Sequence, residues 1–145
     1  MFNHVLIPTD GSPLSLMAVD EGLAFARDIG AKVTLLTVIE PFHVFSVDPD
    51  QVAGTRTDYE RQANERAAAS LSKAELKARA LGVPCEAVRR ESEDPYQAII
   101  DTATDKGCDL IAMASHGRRG MTAVVLGSQT LKVLTHSKIP VLVYR

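Results

Sequence analysis

The chain contains no tryptophan, only three tyrosines and four phenylalanines, and just two cysteines. Cys85 and Cys108 lie far apart, make no CxxC pair, and share no metal-ligand spacing with the four scattered histidines. Both read as buried structural thiols, so a disulfide scaffold and a zinc site are excluded. Long hydrophobic runs are missing as well. The longest apolar stretches are about eight residues, against the roughly 20 needed to cross a bilayer. Met1-Phe2-Asn3-His4 shows no basic region leading into an apolar core, so no signal peptide is visible and a cytoplasmic location is expected by default. An excess of one charge is also lacking. Sixteen Lys and Arg against eighteen Asp and Glu leave a net charge of −2. With no basic run resembling a nucleic-acid arm, neither nucleic acid nor a membrane is an expected partner.

What is present is the balance of a globular protein, 46% hydrophobic and 23% charged. A chain of this length, residues 1–145, fits one domain. Five short apolar runs punctuate it: His4–Pro8, Lys32–Ile39, Pro84–Val88, Leu110–Ala114 and Pro140–Tyr144. They are rich in Val, Ile and Leu without clean alternation, as strands are when both faces are covered.

Helical patterns lie between the runs. Ser12 can cap the first, with Pro13 at its first position, Leu16, Val19, Leu23 and Ala26 on one face, and Gly30 as the stop. In the second, Tyr59, Ala63, Ala67, Leu71, Ala74, Ala78 and Leu81 recur at spacings of three or four before Gly82, a small face suited to close packing on a sheet. Asp94-Pro95-Tyr96-Gln97 predicts a capping box opening the third, which ends near Gly107. A short fourth helix opens around Gly127-Ser128 and runs towards Leu134. Glu40 to Arg56 reads as a long irregular loop. Alternating strands and helices imply right-handed crossovers, hence an α/β fold with a parallel sheet and helices on both faces.

In such a sheet, ligands bind beyond the carboxyl ends of the strands, where the strand order reverses. After the first run comes Pro8-Thr9-Asp10-Gly11-Ser12, where Asp10 suits either an adenine or ribose contact or a cap for the next helix. After the fourth comes Ala114-Ser115-His116-Gly117-Arg118-Arg119-Gly120, continuing to Gly127-Ser128-Gln129-Thr130. Gly117 and Gly120 allow backbone N–H groups to approach an anion, and Arg118 and Arg119 add positive charge. Gly127-Ser128 opens a helix whose first N–H groups and dipole favour a phosphate, and the Ser128 and Thr130 hydroxyls can donate. Other glycine motifs fail: no lysine follows Gly127 as a Walker A loop requires, and no dinucleotide fingerprint follows the first strand. Ser115 beside His116 hints at a nucleophile and base, but sequence neighbours rarely face each other productively and a GxSxG elbow is absent. His4, His43 and His136 carry no signal, and Tyr59 and Tyr96 read as packing.

Taken in order, Val5-Leu6-Ile7-Pro8-Thr9-Asp10-Gly11-Ser12, the segment Asp109 to Gly120, Leu126-Gly127-Ser128 and Ile139-Pro140-Val141-Leu142-Val143 resemble the universal stress protein family, of the UspA type. The resemblance covers essentially the whole chain. It implies a single Rossmann-like domain with a five-stranded parallel sheet in the order 3-2-1-4-5. The family's ATP-binding branch carries G-x2-G-x9-G-[ST]; here Gly117, nine intervening residues and Gly127-Ser128 match, while Ala114 replaces the first glycine. By the resemblance, Pro8, Thr9, Asp10 and the backbone of Val38 hold adenine. Met113, Ala114 and Ser115 lie by the ribose, and His116, Gly117, Arg118, Arg119, Gly120, Gly127, Ser128 and Gln129 lie by the phosphates.

The implied function is an ATP-binding stress or regulatory protein, a sensor or adaptor, with ATP held with or without Mg²⁺. No carboxylate set for Mg²⁺ and no water-activating base accompanies the phosphate motif, so hydrolysis would be slow at most. The alternative is a dimeric interaction module of the same family that binds no nucleotide. An ATP-pyrophosphatase would need an SGGxDS-like loop after the first strand, which is absent. The apolar final strand implies a homodimer through the C-terminal edge.

Overall fold

The computed structural model describes residues 1–42, 49–116 and 126–145, and the side chains of these except 49–54. Their elements run β1 (His4–Pro8), α1 (Pro13–Ile29), β2 (Lys32–Ile39), α2 (Pro49–Ala80), β3 (Cys85–Glu91), α3 (Pro95–Lys106), β4 (Leu110–Ala114), α4 (Ser128–His136) and β5 (Val141–Tyr144). The five strands form one sheet in the order β3-β2-β1-β4-β5. Every pairing is parallel.

The apolar runs are continuous because each central strand feeds two cores. Val5, Ile7, Val33, Leu35 and Ala112 face Val19, Leu23 and Ala26 of α1 and Leu71, Ala74 and Ala78 of α2. Leu6, Leu36, Ile111 and Met113 face Ile99 and Ala103 of α3 and Val133 of α4. Neighbouring residues on one strand thus point into opposite layers, as the pleat requires. The α2 alanines are nearly inaccessible, with Ala74 at 2% and Ala78 at 0%, so that helix lies close on the sheet.

Helix α1 begins as its sequence predicts. The Ser12 hydroxyl accepts the Ser15 N–H at 3.3 Å, Pro13 takes the first turn, and Gly30 closes the helix at φ +71°, a conformation that suits glycine.

Four local expectations are corrected. The stretch 40–56 is not loop throughout, since α2 starts at Pro49, where a proline needs no hydrogen-bond partner for its nitrogen; residues 43–48 lie outside the described ones. Strand β3 continues to Glu91, because Arg89, Arg90 and Glu91 pair with Thr37, Val38 and Ile39. An edge strand with exposed faces tolerates charged residues beyond the end of its apolar run. Strand β5 begins one residue later, at Val141, although the Pro140 carbonyl still accepts the Ile111 N–H at 3.0 Å. Finally, the capping box does not form. The Asp94 side chain makes no cap bond; the Ser92 hydroxyl accepts the Asp94 N–H at 3.1 Å, and Gln97 donates forward to Asp101 at 2.8 Å.

Candidate nucleotide-binding cleft

A cleft of about 420 Å³ opens over the carboxyl ends of β1, β2 and β4. Strands β1 and β4 are neighbours there while the chain leaves them in opposite directions, which is the switch point of a doubly wound sheet. Its volume lies within the range of small-molecule sites.

The end of β1 is wired in place by hydroxyls. Thr9 donates its N–H to the Leu36 carbonyl at 2.8 Å, and the Thr37 hydroxyl donates to the Thr9 carbonyl at 3.0 Å. The buried Thr9 and Ser15 hydroxyls lie 2.9 Å apart. The adjoining Asp10 is exposed, with one carboxylate oxygen accepting the Ser12 N–H at 2.9 Å. It closes the turn into α1 and also lines the cleft. The cap of α1 itself is Ser12, not Asp10.

Strand geometry decides how Val38 is presented. Leu36 bonds towards β1, so the period of two aims the N–H and C=O of Val38 to the same side. The paired register of β1 has ended by then, at Pro8 opposite Leu36. The Val38 peptide groups therefore point over the cleft floor, where a planar hydrogen-bonding edge could meet them.

At the end of β4, Met113 and Ala114 are each only 6% exposed and both border the cleft. Among the described residues no non-glycine residue has positive φ, so Ala114 sits in ordinary strand backbone and its methyl group brings no strain. Ser115 lies behind the wall rather than in it, 2% exposed, with its N–H on the Tyr144 carbonyl and its carbonyl on the Gly127 N–H, both at 2.7 Å. The Ser115 hydroxyl lies 3.2 Å from Nδ1 of His116, yet it is buried and does not line the cleft. His116 itself lines the cleft. Gly117, Arg118, Arg119 and Gly120 lie outside the described residues.

The bond from Gly127 to Ser115 fastens the start of α4 against the end of β4. A Cβ on Gly127 would stand 3.0 Å from both Cα and Cβ of His116, so glycine is needed for this approach rather than for an unusual φ. In the first turn of α4, Ser128 is exposed at the cleft. Gln129 also lines it, while its Oε1 accepts the Tyr96 N–H at 2.9 Å. The Thr130 hydroxyl, expected to be free for a ligand, is instead buried and donates to the Ala114 carbonyl at 2.9 Å.

Sequence reasoning missed one whole wall. At 32 residues α2 spans about 48 Å, far more than the strands it covers. Its lower half packs on the sheet, and its middle turns rise beside the cleft through Tyr59, Ala63, Arg66, Ala67 and Ser70. Tyr59 is more than packing: its hydroxyl donates to the Glu40 carbonyl at 3.0 Å and its ring meets Phe42 at 5.3 Å. The spacings of three and four were visible in the sequence; that this stripe outruns the sheet was not.

Nucleophilic chemistry finds no support in the cysteines. Burial pushes both the Cys85 and Cys108 thiols up to about 11, so they stay protonated near neutral pH. Cys108 is buried as expected, whereas Cys85, on the edge strand, is only partly so. Among the described residues no three His, Cys, Asp or Glu gather to hold a metal ion, and no helix is long and apolar enough to cross a membrane.

Comparison with known proteins agrees with this architecture. The model of the universal stress protein family matches residues 1–145. Universal stress protein MJ0577 of Methanocaldococcus jannaschii is 30% identical, covering 100% of this chain and 96% of the relative. Universal stress protein YxiE of Bacillus subtilis is 29% identical over the full length of both chains. The solved structure of MJ0577 superposes with a TM-score of 0.81, at 27% identity, covering 99% of this chain and 95% of that one. A universal stress protein solved in complex with cAMP gives 0.73 at 27% identity, over 99% and 97% of the two chains. The strand order, the cleft at its switch point and the match along the entire chain lead to one conclusion: this protein belongs to the universal stress protein family.

Proposed function

We propose that the chain binds ATP in the cleft and acts in the cytoplasm as a stress or regulatory sensor or adaptor, with slow hydrolysis at most. The observation that carries this reading is the convergence of Pro8–Asp10, Val38, Met113–Ala114, His116 and Gly127–Gln129 on one cavity of about 420 Å³. The outward-facing peptide of Val38 supplies a donor and an acceptor for an adenine edge. Met113 and Ala114 offer an apolar floor for the ribose side. The first turn of α4 turns its N–H groups and positive dipole end towards the phosphates. Gly127 lets that turn approach His116 without a side chain between them. Bound Mg²⁺ would neutralise phosphate charge, and the carboxylates among the described lining residues are Asp10 and Glu40. The complex of a related universal stress protein with cAMP supports an adenine nucleotide as the ligand class. Two copies join through β5 into a homodimer.

The test is direct. Heat-denature the purified protein, separate any released nucleotide by chromatography, and titrate the emptied protein with ATP, GTP and cAMP by calorimetry. Binding of ATP with preference over GTP is expected, because the Val38 peptide reads the adenine edge. A folded protein that binds no adenine nucleotide at millimolar concentration would instead be an interaction module.

A further inference from the structure

We infer that Arg66, on the α2 wall, reads the phosphate charge of the ligand and sets the preference of the cleft for nucleoside polyphosphates over nucleosides. This inference rests on the nucleotide reading of the same cleft. It starts from the charges that line the cavity. Among the described lining residues, Asp10 and Glu40 are carboxylates, and Arg66 is the one side chain with a permanent positive charge. Four other described arginines are paired, Arg27 with Asp28, Arg56 with Glu60, Arg61 with Asp58 and Arg90 with Asp105, while Arg79 and Arg89 do not line the cleft. Among the described residues, Arg66 makes no hydrogen bond or ion pair.

Its place on the helix fits the role. Arg66 lies between Ala63 and Ala67, which are 8% and 4% exposed, so small neighbours leave room over the cleft for a long side chain. The α4 turn carrying Gly127 and Ser128 borders the same cavity from the other face of the sheet. An anion between the two walls would meet peptide N–H groups on one side and a planar guanidinium fork on the other, a geometry matched to phosphate oxygens. Without Arg66 the described lining would lose its one fixed cation, so a triphosphate would bind more weakly.

The experiment compares the wild-type protein with Arg66→Gln and Arg66→Lys. Affinities for ATP, AMP and adenosine are measured by calorimetry at low and high salt, with circular dichroism confirming the fold. The position is exposed on a helix and Gln is a good helix former, so folding is expected to be kept. Arg66→Gln should lose about tenfold in ATP affinity, about threefold for AMP and under about twofold for adenosine, with a weaker salt dependence. Arg66→Lys keeps the charge but not the fork, and should recover only part of the ATP affinity. Equal losses for ATP and adenosine, or no loss for either, would overturn the assignment. If the wild-type protein binds adenosine and ATP equally well, the charge-reading role is also wrong while the nucleotide site stands. If the wild-type protein binds neither, the nucleotide reading itself fails and this inference falls with it.

Discussion

Two residues show how little room this fold leaves at single positions. Gly127 sits against the His116 backbone, and a side chain there has to push the end of β4 and the start of α4 apart. Gly127→Val should therefore abolish ATP binding, measured by calorimetry, while costing about 1–3 kcal/mol of stability in urea unfolding, the usual penalty for overpacking. Affinity kept within about twofold would mean that the α4 turn does not hold the phosphates. His4 lies at the opposite end of the sheet, 7% exposed, with Nε2 2.7 Å from the Thr34 hydroxyl. Burial, and then the Lys32 charge, lower its pKa from 6.5. The unfolded chain then takes up a proton that the folded one refuses, so this contribution is complete above pH 6.5 and is lost as pH falls towards the folded value. Urea midpoints should drop between pH 7.5 and 5, and His4→Gln, which cannot titrate, should flatten that drop.

At the scale of elements, the helices on the α4 face are tied to each other as well as to the sheet. The Tyr96 N–H, in the first turn of α3, has no partner within its own helix and finds the Gln129 Oε1 of α4. Tyr96 also stacks near His136 at 5.2 Å and under the Lys132 ammonium at 5.4 Å. Gln129→Ala removes the acceptor and leaves a half-buried donor, so about 1 kcal/mol of stability should be lost in urea unfolding. Because Gln129 borders the cleft, ATP should bind more weakly as well. A variant with unchanged stability would show that this contact does not hold α3 and α4 together. Helix α2 divides its labour differently. Leu71, Ala74 and Ala78 anchor it, leaving its middle turns free to wall the site.

For the whole molecule, β5 is the edge on which assembly turns. All four of its residues are only half buried, and it ends the sheet. Pro140 and Tyr144 direct their carbonyls to Ile111 and Ser115, so even-numbered residues face β4 and the peptides of Val141 and Val143 face outward. That free edge is what a second copy would pair with, the two strands running antiparallel about a twofold axis. Sedimentation at micromolar concentration should give a dimer for the native chain and a monomer for Val143→Pro, which removes an outward donor and spares the β4 ladder. Val141→Lys should weaken the dimer too. A native monomer, or dimers indifferent to both changes, would rule the interface out.

The strands, the helix faces and the helix stops were legible in the sequence because they depend on local pattern: two covered faces give unbroken apolar runs, and Gly30 and Gly107 mark the helix ends. The order of the strands came from resemblance to a family, and Ala114 could be read as harmless because it ends a strand. Contacts between distant segments were beyond that reach. Nothing local tells that Gln129 rather than Gln97 serves the first turn of α3, or that the Thr130 hydroxyl is spent on Ala114. The same holds for Ser115, hidden behind the wall it was expected to form, and for Arg66, which in sequence is one charged residue on a helix. Spacing along one helix or strand fixes which residues share a face. Which partner that face meets, and how far an element reaches past its neighbours, is decided only when the segments pack together.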